Sequence, residues 1–459
     1  MNTNNKFLKR IVMVIPIIFI LLVILFFFLR KERNDPSSAY ALSVPEYPIM
    51  APYPDELKYL KEDGSIDYDE YDKAHTLWYE DVRKQWGKGS YSLELKPYFE
   101  TSMRQFLVPV DKQSNTLFSP LNVYIALGML AEVTDGNSRK QILNLIDVDS
   151  IETLRVQVSE IWNSTYRNDG AVTSILANSL WLNEDISFKE DTLKNLSEYY
   201  YASSFQGKMG SDKYNKALQD WLDTQTGGLL GDQIDNMKMD PDVVMALAST
   251  IYFQTKWQEE FQSEHTKEGI FHGAAGDVSA DYMNSQPFGS YCWDDDFSAY
   301  AKELDSGGKM WFILPDEGIS PTELLNNSRM TDMVLNQEEW ENKKYVLINA
   351  SIPKFDVTSQ MNLVDGLKDL GITDVFDMYH SNFTPMTDEI DTVYLSKAQH
   401  DCRVAIDEQG VTAVAYTVMQ LCGSGMPQDE VDFVVDRPFL FVITNRNHLP
   451  LFAGIVNQL

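Results

Sequence analysis

The residues best equipped for chemistry lie between His400 and Glu430. Gly423-Ser424-Gly425 follows His400 and Asp407, the residue types of nucleophilic catalysis, but the G-x-S-x-G turn that exposes such a serine is missing. Neither HExxH nor a phosphate-binding loop occurs elsewhere. Gly227-Gly228-Leu229-Leu230-Gly231 reads as a turn, and Asp294-Asp295-Asp296 as a solvated acidic turn rather than a cation site. The chain is therefore not read as an enzyme, and no cofactor or metal is implied. Alternation carries the signal instead. From Val411 every second residue, Val411, Ala413, Ala415, Thr417, Met419 and Leu421, is uncharged and none is proline, while the other face reads Thr412, Val414, Tyr416, Val418 and Gln420. A period of two suits a strand with one face buried, and Gly410 supplies a permissive backbone where the chain must hinge. Past Leu421 the alternation gives way to Cys422-Gly423-Ser424-Gly425-Met426-Pro427-Gln428-Asp429-Glu430, which reads as an exposed loop. Cys422 reads as a passive loop residue, with a reactive exposed thiol as the alternative, because nothing near it in sequence favours the thiolate.

A strand of this kind needs a sheet to receive it. Helical periodicity dominates the first part of the domain, over 95–107, 121–132, 138–145, 150–167, 189–201 and 213–225. Strand-like runs at 174–182 and 245–253 are followed by others at 309–314, 345–352, 392–396, 402–406, 431–435 and 439–443. Helices first and strands later indicate α+β. The 459 residues, 44% apolar, can build one large core with an N-terminal extension. A formal charge of −30 excludes a nucleic-acid partner, because phosphate binding needs clustered Lys and Arg. Cys292, Cys402 and Cys422 have no CxxC spacing and are odd in number, so neither a disulfide framework nor a zinc site is indicated.

The N-terminal residues 1–10 form a short segment expected in the cytoplasm, ahead of Ile11 to Leu29, an uncharged run of nineteen that is long enough to span a bilayer. Three Lys or Arg flank each side, so charge does not set its orientation. It is read as an uncleaved signal-anchor, although Ala39-Tyr40-Ala41 has the small-x-small form of a cleavage site. Residues 30–90 are expected to form a stalk: a Pro-rich extended spacer to Pro54, then an acidic, aromatic segment that reads as a solvated helix. The folded domain is expected to run from Tyr91 to Leu459.

Several segments, in order, resemble the serpin family: Asn115-Thr116-Leu117-Phe118-Ser119-Pro120-Leu121-Asn122, Asn178-Ser179-Leu180-Trp181-Leu182, Ile251-Tyr252-Phe253-Gln254-Thr255-Lys256-Trp257 with Phe261, and Pro353-Lys354-Phe355. Most specific is Phe433-Val434-Val435-Asp436-Arg437-Pro438-Phe439-Leu440-Phe441, closed by Leu449-Pro450-Leu451-Phe452-Ala453-Gly454. The resemblance implies three β-sheets, a shell of helices and an exposed reactive loop, here about residues 408–432. Glu408-Gln409-Gly410 resembles the family's proximal hinge, with Val411, Ala413, Ala415 and Thr417 as the inserting face. Counting from Glu408 puts the reactive bond between Ser424 and Gly425, with Leu421, Cys422 and Met426 as alternatives. The implied activity is inhibition of serine proteases through a covalent acyl-enzyme. No Lys or Arg lies between Gly410 and Asp436, which favours elastase-like or subtilisin-like targets. The rival is a non-inhibitory serpin serving as a surface binding module. The resemblance also implies a polar cluster under the sheet from Ser119, Asn122, Ser249 and His400, and Trp257 where the loop enters. Ser and Asn are exchanged between positions 122 and 249 relative to the family, which keeps both hydrogen-bonded. A monomer with its domain outside the cell is expected.

Overall fold

The computed structural model describes residues 36–61, 63–85, 91–108, 113–234, 237–390, 392–411 and 429–459. Ile11 to Leu29 and residues 412–428 lie outside them; among the described residues no helix is long and apolar enough to cross a membrane.

The main helices are α1 (Tyr68–Gln85), α2 (Lys96–Phe106), α3 (Pro120–Glu132), α4 (Gly136–Leu145), α5 (Ile151–Thr165), α6 (Glu190–Tyr200) and α7 (Asp212–Gln225). Each start has a local cause. Pro120 opens α3, where its missing N–H costs nothing, and the hydroxyls of Ser150 and Ser211 accept from the third residue of α5 and α7. Helix α3 is apolar nearly all round and is buried on almost every side, at the centre of the core.

Eight strands form the main sheet: β1 (Ala41–Ser43), β3 (Arg167–Asn168), β4 (Thr173–Asn183), β5 (Ala202–Gly207), β6 (Met245–Lys256), β13 (Phe355–Asn362), β14 (Gln399–Ile406) and β15 (Gly410–Val411). Their order is β1-β5-β4-β6-β15-β14-β13, with β3 paired to β4. Strand β4 reads as a nearly unbroken apolar run because both its faces are covered. Leu176, Leu180 and Leu182 enter the large core, whereas Ala177 and Trp181 pack with Phe205, Tyr214 and Trp221 under α7. A second, ten-stranded sheet contains β2 (Thr116–Phe118), β7 (Lys267–Gly273), β8 (Gly276–Ser285), β9 (Phe288–Trp293), β10 (Phe297–Glu303), β11 (Lys309–Pro315), β12 (Lys343–Pro353), β16 (Glu430–Val434), β17 (Phe439–Thr444) and β18 (Pro450–Val456). It has two parts, β2-β18-β17-β11-β10-β9 and β7-β8-β12 with β16, joined where β9 pairs with β12. The α+β reading and the multiple sheets agree with this arrangement.

Two expectations need correction. Residues 392–396 are not a strand: Val393 is buried, but the Leu395 N–H bonds to Val375 O in a 3-10 turn and Val393 O accepts from the Ser381 hydroxyl, so the segment pairs with no other strand. Residues 36–85 are not an extended spacer and solvated stalk. Strand β1 adds to the outer edge of β5, and the Tyr47 ring lies 5.1 Å from Trp162 and 5.6 Å from Tyr166. Helix α1 docks through Val82, which is 4% exposed, and through Trp78. Composition failed here because the docking side chains are scattered among Asp, Glu and Lys. The extension starts beside Tyr214 and Gly207, at the end of the sheet far from β15, and climbs to the hinge end.

Candidate functional site: the hinge and the polar cluster beneath the sheet

Strand β14 ends at Ile406, and the chain reverses through Asp407, Glu408 and Gln409 into β15. The Asp407 carboxylate accepts from the Gln409 and Gly410 N–H groups, an Asx-type turn that fixes the reversal. Gly410 then pairs with Lys256 and Val411 with Thr255, both antiparallel to β6, and Val411 also faces Ile406. Glycine is required at 410 because a Cβ there would fall 2.2 Å from Thr255 O and 2.7 Å from the Lys256 Cα. We expect Gly410→Ala to lift the hinge off β6, so that residues 406–411 exchange backbone hydrogens at least tenfold faster (about 1.4 kcal/mol) than the parent.

Trp257 closes the turn from below. It is 1% exposed, its indole Nε1–H donates to Asp407 O at 2.8 Å, its backbone N–H donates to Gln409 O at 3.0 Å, and the Phe261 N–H donates to Glu408 O at 2.8 Å. The Glu408 carboxylate accepts from Lys354 Nζ at 2.8 Å and from the Thr266 hydroxyl at 2.7 Å. Burial works to raise this carboxyl, but those hydrogen bonds outweigh it and hold it below the usual glutamate range. Beneath Trp257, the Lys302 ammonium lies 4.3 Å from the Phe261 ring centroid and 5.8 Å from that of Trp257. Burial pushes the Lys302 amine down to about 8. Glu408 and Trp257 are thus brought together as expected; Lys354 lay in a motif without an assigned role, and Lys302 and Thr266 gave no sequence signal.

The polar cluster lies further down the sheet and has two halves. Ser119 stands at the N-cap of α3 but does not cap it. Its hydroxyl donates instead to Leu451 O at 2.6 Å, and its backbone N–H donates to His400 Nε2 at 2.9 Å. His400 Nε2 is therefore an acceptor, which makes the ring the neutral Nδ1–H tautomer. The Cys402 sulfur also lies 3.1 Å from this nitrogen, and burial pushes the thiol pKa up, so it stays protonated. Burial lowers the His400 pKa to about 4. In the other half the Ser249 hydroxyl sits between the amide oxygens of Asn122 and Asn178, while Asn122 Nδ2 donates to Ser249 O at 3.3 Å. The exchanged pair is in direct contact, and Asn178, anchored by Nδ2 to Tyr200 O, joins it. Asn178 was missed as a site residue, although a buried asparagine inside the apolar run of β4 was its visible signal. We expect Asn122→Ser and Ser249→Asn each to cost about 1–2 kcal/mol by orphaning a polar group, and the double variant to recover most of the loss, measured as denaturation midpoints. Losses that simply add would show that the two positions act separately.

Ala413, Ala415, Thr417, Ser424 and Gly425 lie outside the described residues. Of the expected hinge face the structure describes Val411, which is 1% exposed and points inward beside Thr255 and Ile406. Cys292 and Cys402 are free and buried, and Asp294 pairs with Arg329. Among the described residues no group of His, Cys, Asp and Glu has the arrangement of a metal site.

Comparison with known proteins places this architecture. Residues 98–459 match the sequence model of a family described as Serpin, serine protease inhibitor. Serpin-ZX of Arabidopsis thaliana is 28% identical over 374 residues, covering 77% of this chain and 94% of its own. Alpha-1-antitrypsin 1-4 of Mus musculus is 28% identical over 369 residues, covering 78% of this chain and 86% of its own. The native state of the thermophilic serpin tengpin superposes with a TM-score of 0.70 at 26% identity, covering 80% of this chain and 94% of that one.

Proposed function

Because the chain belongs to the serpin family, we propose that it inhibits serine proteases as a suicide substrate whose cleaved loop becomes a strand of the main sheet. One observation carries this reading: the hinge already pairs with β6 in the register that a full insertion needs. Continuing Gly410↔Lys256 and Val411↔Thr255 residue by residue pairs Leu421 with Met245. Strand β6 has twelve residues, and Gly410 to Leu421 are twelve, so the uncharged alternation ends where its partner ends. The same extension from Ile406↔Val411 along β14 sets Ala413 between Phe253 and Val404, and Ala415 between Ile251 and Cys402. The one hydroxyl on the inward face, Thr417, arrives between Ser249 and His400, the two polar groups that line this path. Small residues fall against buried apolar neighbours and the polar one falls in the polar cluster, which is the pattern a buried strand requires.

In this mechanism the protease serine attacks the loop carbonyl, the amide nitrogen leaves with a proton, and an ester joins loop and protease. Insertion then draws the bound protease along the sheet before water can reach the ester. The force comes from strain released as the loop joins the sheet, so the native state is kinetically held. Ser424–Gly425 is the proposed bond, and shallow specificity pockets of the elastase or subtilisin kind are the proposed targets. Anchoring through Ile11 to Leu29, with the domain outside the cell, belongs to the same proposal and is supported by the length of that apolar run. Incubation with an elastase-like protease should give a complex that survives heat and detergent, and sequencing the released fragment locates the bond. Cleaved chain beside fully active protease would overturn the reading.

A further inference from the structure

We propose that the N-terminal extension is a brace whose Trp78 holds the hinge end of the main sheet closed and thereby sets how fast the loop inserts; this rests on the reading above. The extension touches the sheet along its whole height. Tyr40 packs 4.9 Å from Tyr214 at the far end, β1 zips onto β5, Tyr47 sits among Trp162, Tyr166 and Tyr201, and the Tyr53 N–H donates to Asp169 O at 2.8 Å near the hinge. There α1 delivers Trp78, held by Tyr53 edge-on at 5.1 Å.

From Trp78 a continuous series of bonds reaches the loop. The indole Nε1–H donates to Asp169 Oδ2 at 2.9 Å, and Arg167 Nε donates to the same oxygen at 2.7 Å. Arg167 Nη1 donates to Asp305 O at 2.9 Å, the Asp305 N–H donates to Lys256 O at 3.0 Å, and Lys256 is the residue paired with Gly410. The Asp169–Arg167 pair is buried, its carboxylate fully so, and the guanidinium lies 5.3 Å from the Trp78 ring centroid. Removing Trp78 opens this low-dielectric ion pair to water and weakens it.

Proximity alone does not make coupling; a two-state element is needed that both ends bias. The sheet is that element. Accepting a strand between β6 and β14 requires the block β1-β5-β4-β6 to move aside by about 4.8 Å. The brace grips that block through β5, Asp169 and Arg167. It also touches what lies outside it: the Tyr47 ring packs 5.1 Å from Trp162 of α5, and Val82 and Met50 line, with Asn445 and Arg446 of the turn between β17 and β18, a cavity of about 30 Å³. A segment attached to both sides resists their separation.

The test uses the full chain and a readout independent of inhibition. The loop is cut with a non-specific protease, and insertion is followed as the gain in unfolding temperature. Trp78→Ala should insert at least fivefold faster than the parent. Trp78→Phe, which keeps the ring and loses the N–H, should lie between them and guards against loss of folding in the alanine variant. Equal insertion rates, with the gain in stability intact, overturn the brace alone. A parent chain that gains no stability on cleavage overturns the inhibitory reading and the brace with it.

Discussion

On the proposed mechanism, Ala415→Arg should turn the chain from an inhibitor into a substrate: the protease cuts the loop at the normal rate and is released active. In the proposed inserted strand residue 415 would point inward, opposite Ile251 and the buried Cys402, neither of which can pair with a guanidinium. An unpaired charge in such a place costs about 3–5 kcal/mol. If 3 kcal/mol of that is felt while the strand enters, insertion slows roughly 100-fold and hydrolysis of the ester overtakes it. Thr412→Arg is the control, since residue 412 faces outward beside Gln254 and Ala405, and its complexes should form nearly as in the parent. Stoichiometries of inhibition measured side by side decide the matter. Equal loss in both variants would mean that the register does not continue below Val411.

Acid should loosen the molecule through His400. Its folded pKa, about 4, lies below the ordinary 6.5 because burial penalises the charged ring. The unfolded chain binds this proton below pH 6.5 and the folded chain does not until about pH 4, so stability is complete above 6.5 and declines across that window. The full loss is about 3 kcal/mol at 1.36 kcal/mol per unit, an order-of-magnitude figure. Protonation would also turn Nε2 toward two donors, the Ser119 N–H and the Cys402 thiol. His400→Gln keeps an acceptor and removes the titration. Its denaturation midpoint should change little between pH 6.5 and 4.5, apart from whatever surface carboxylates contribute equally to the parent. A variant as acid-sensitive as the parent would remove His400 from the account.

Periodicity located most elements of the first half, since α2, α4, α5 and α6 each turn one face to the large core and α7 one face to the smaller cluster under β4, and so carry a 3.6-residue pattern, whereas α3, buried on almost every side, shows as an apolar run. The hinge was legible for a similar reason: Gly410 meets backbone within 2.2 Å, a constraint only one residue type satisfies. Pairs far apart in the chain were not legible. Trp78 with Asp169 and Thr266 with Glu408 are separated by 91 and 142 residues, and no local pattern marks either partner. The exchange of Asn122 and Ser249 could be read through the resemblance, yet Asn178 could not be joined to them before β4 and β6 were known to lie side by side. Residues 392–396 show the converse failure, because alternating burial arises wherever extended chain crosses a core, with or without a neighbouring strand.

The route of the N-terminal extension gives the molecule a polarity. Pro36 lies toward the end of the main sheet opposite Gly410, and only residues 30–35 separate it from the apolar run, a reach of about 20 Å at most. Under the proposed anchoring and loop insertion, the reactive loop would lie on the side facing away from the bilayer, and insertion would draw the bound protease toward the membrane. A serine protease is about 40 Å across, wider than that reach, so on this proposal the membrane surface would become a wall against which the last stage of trapping takes place.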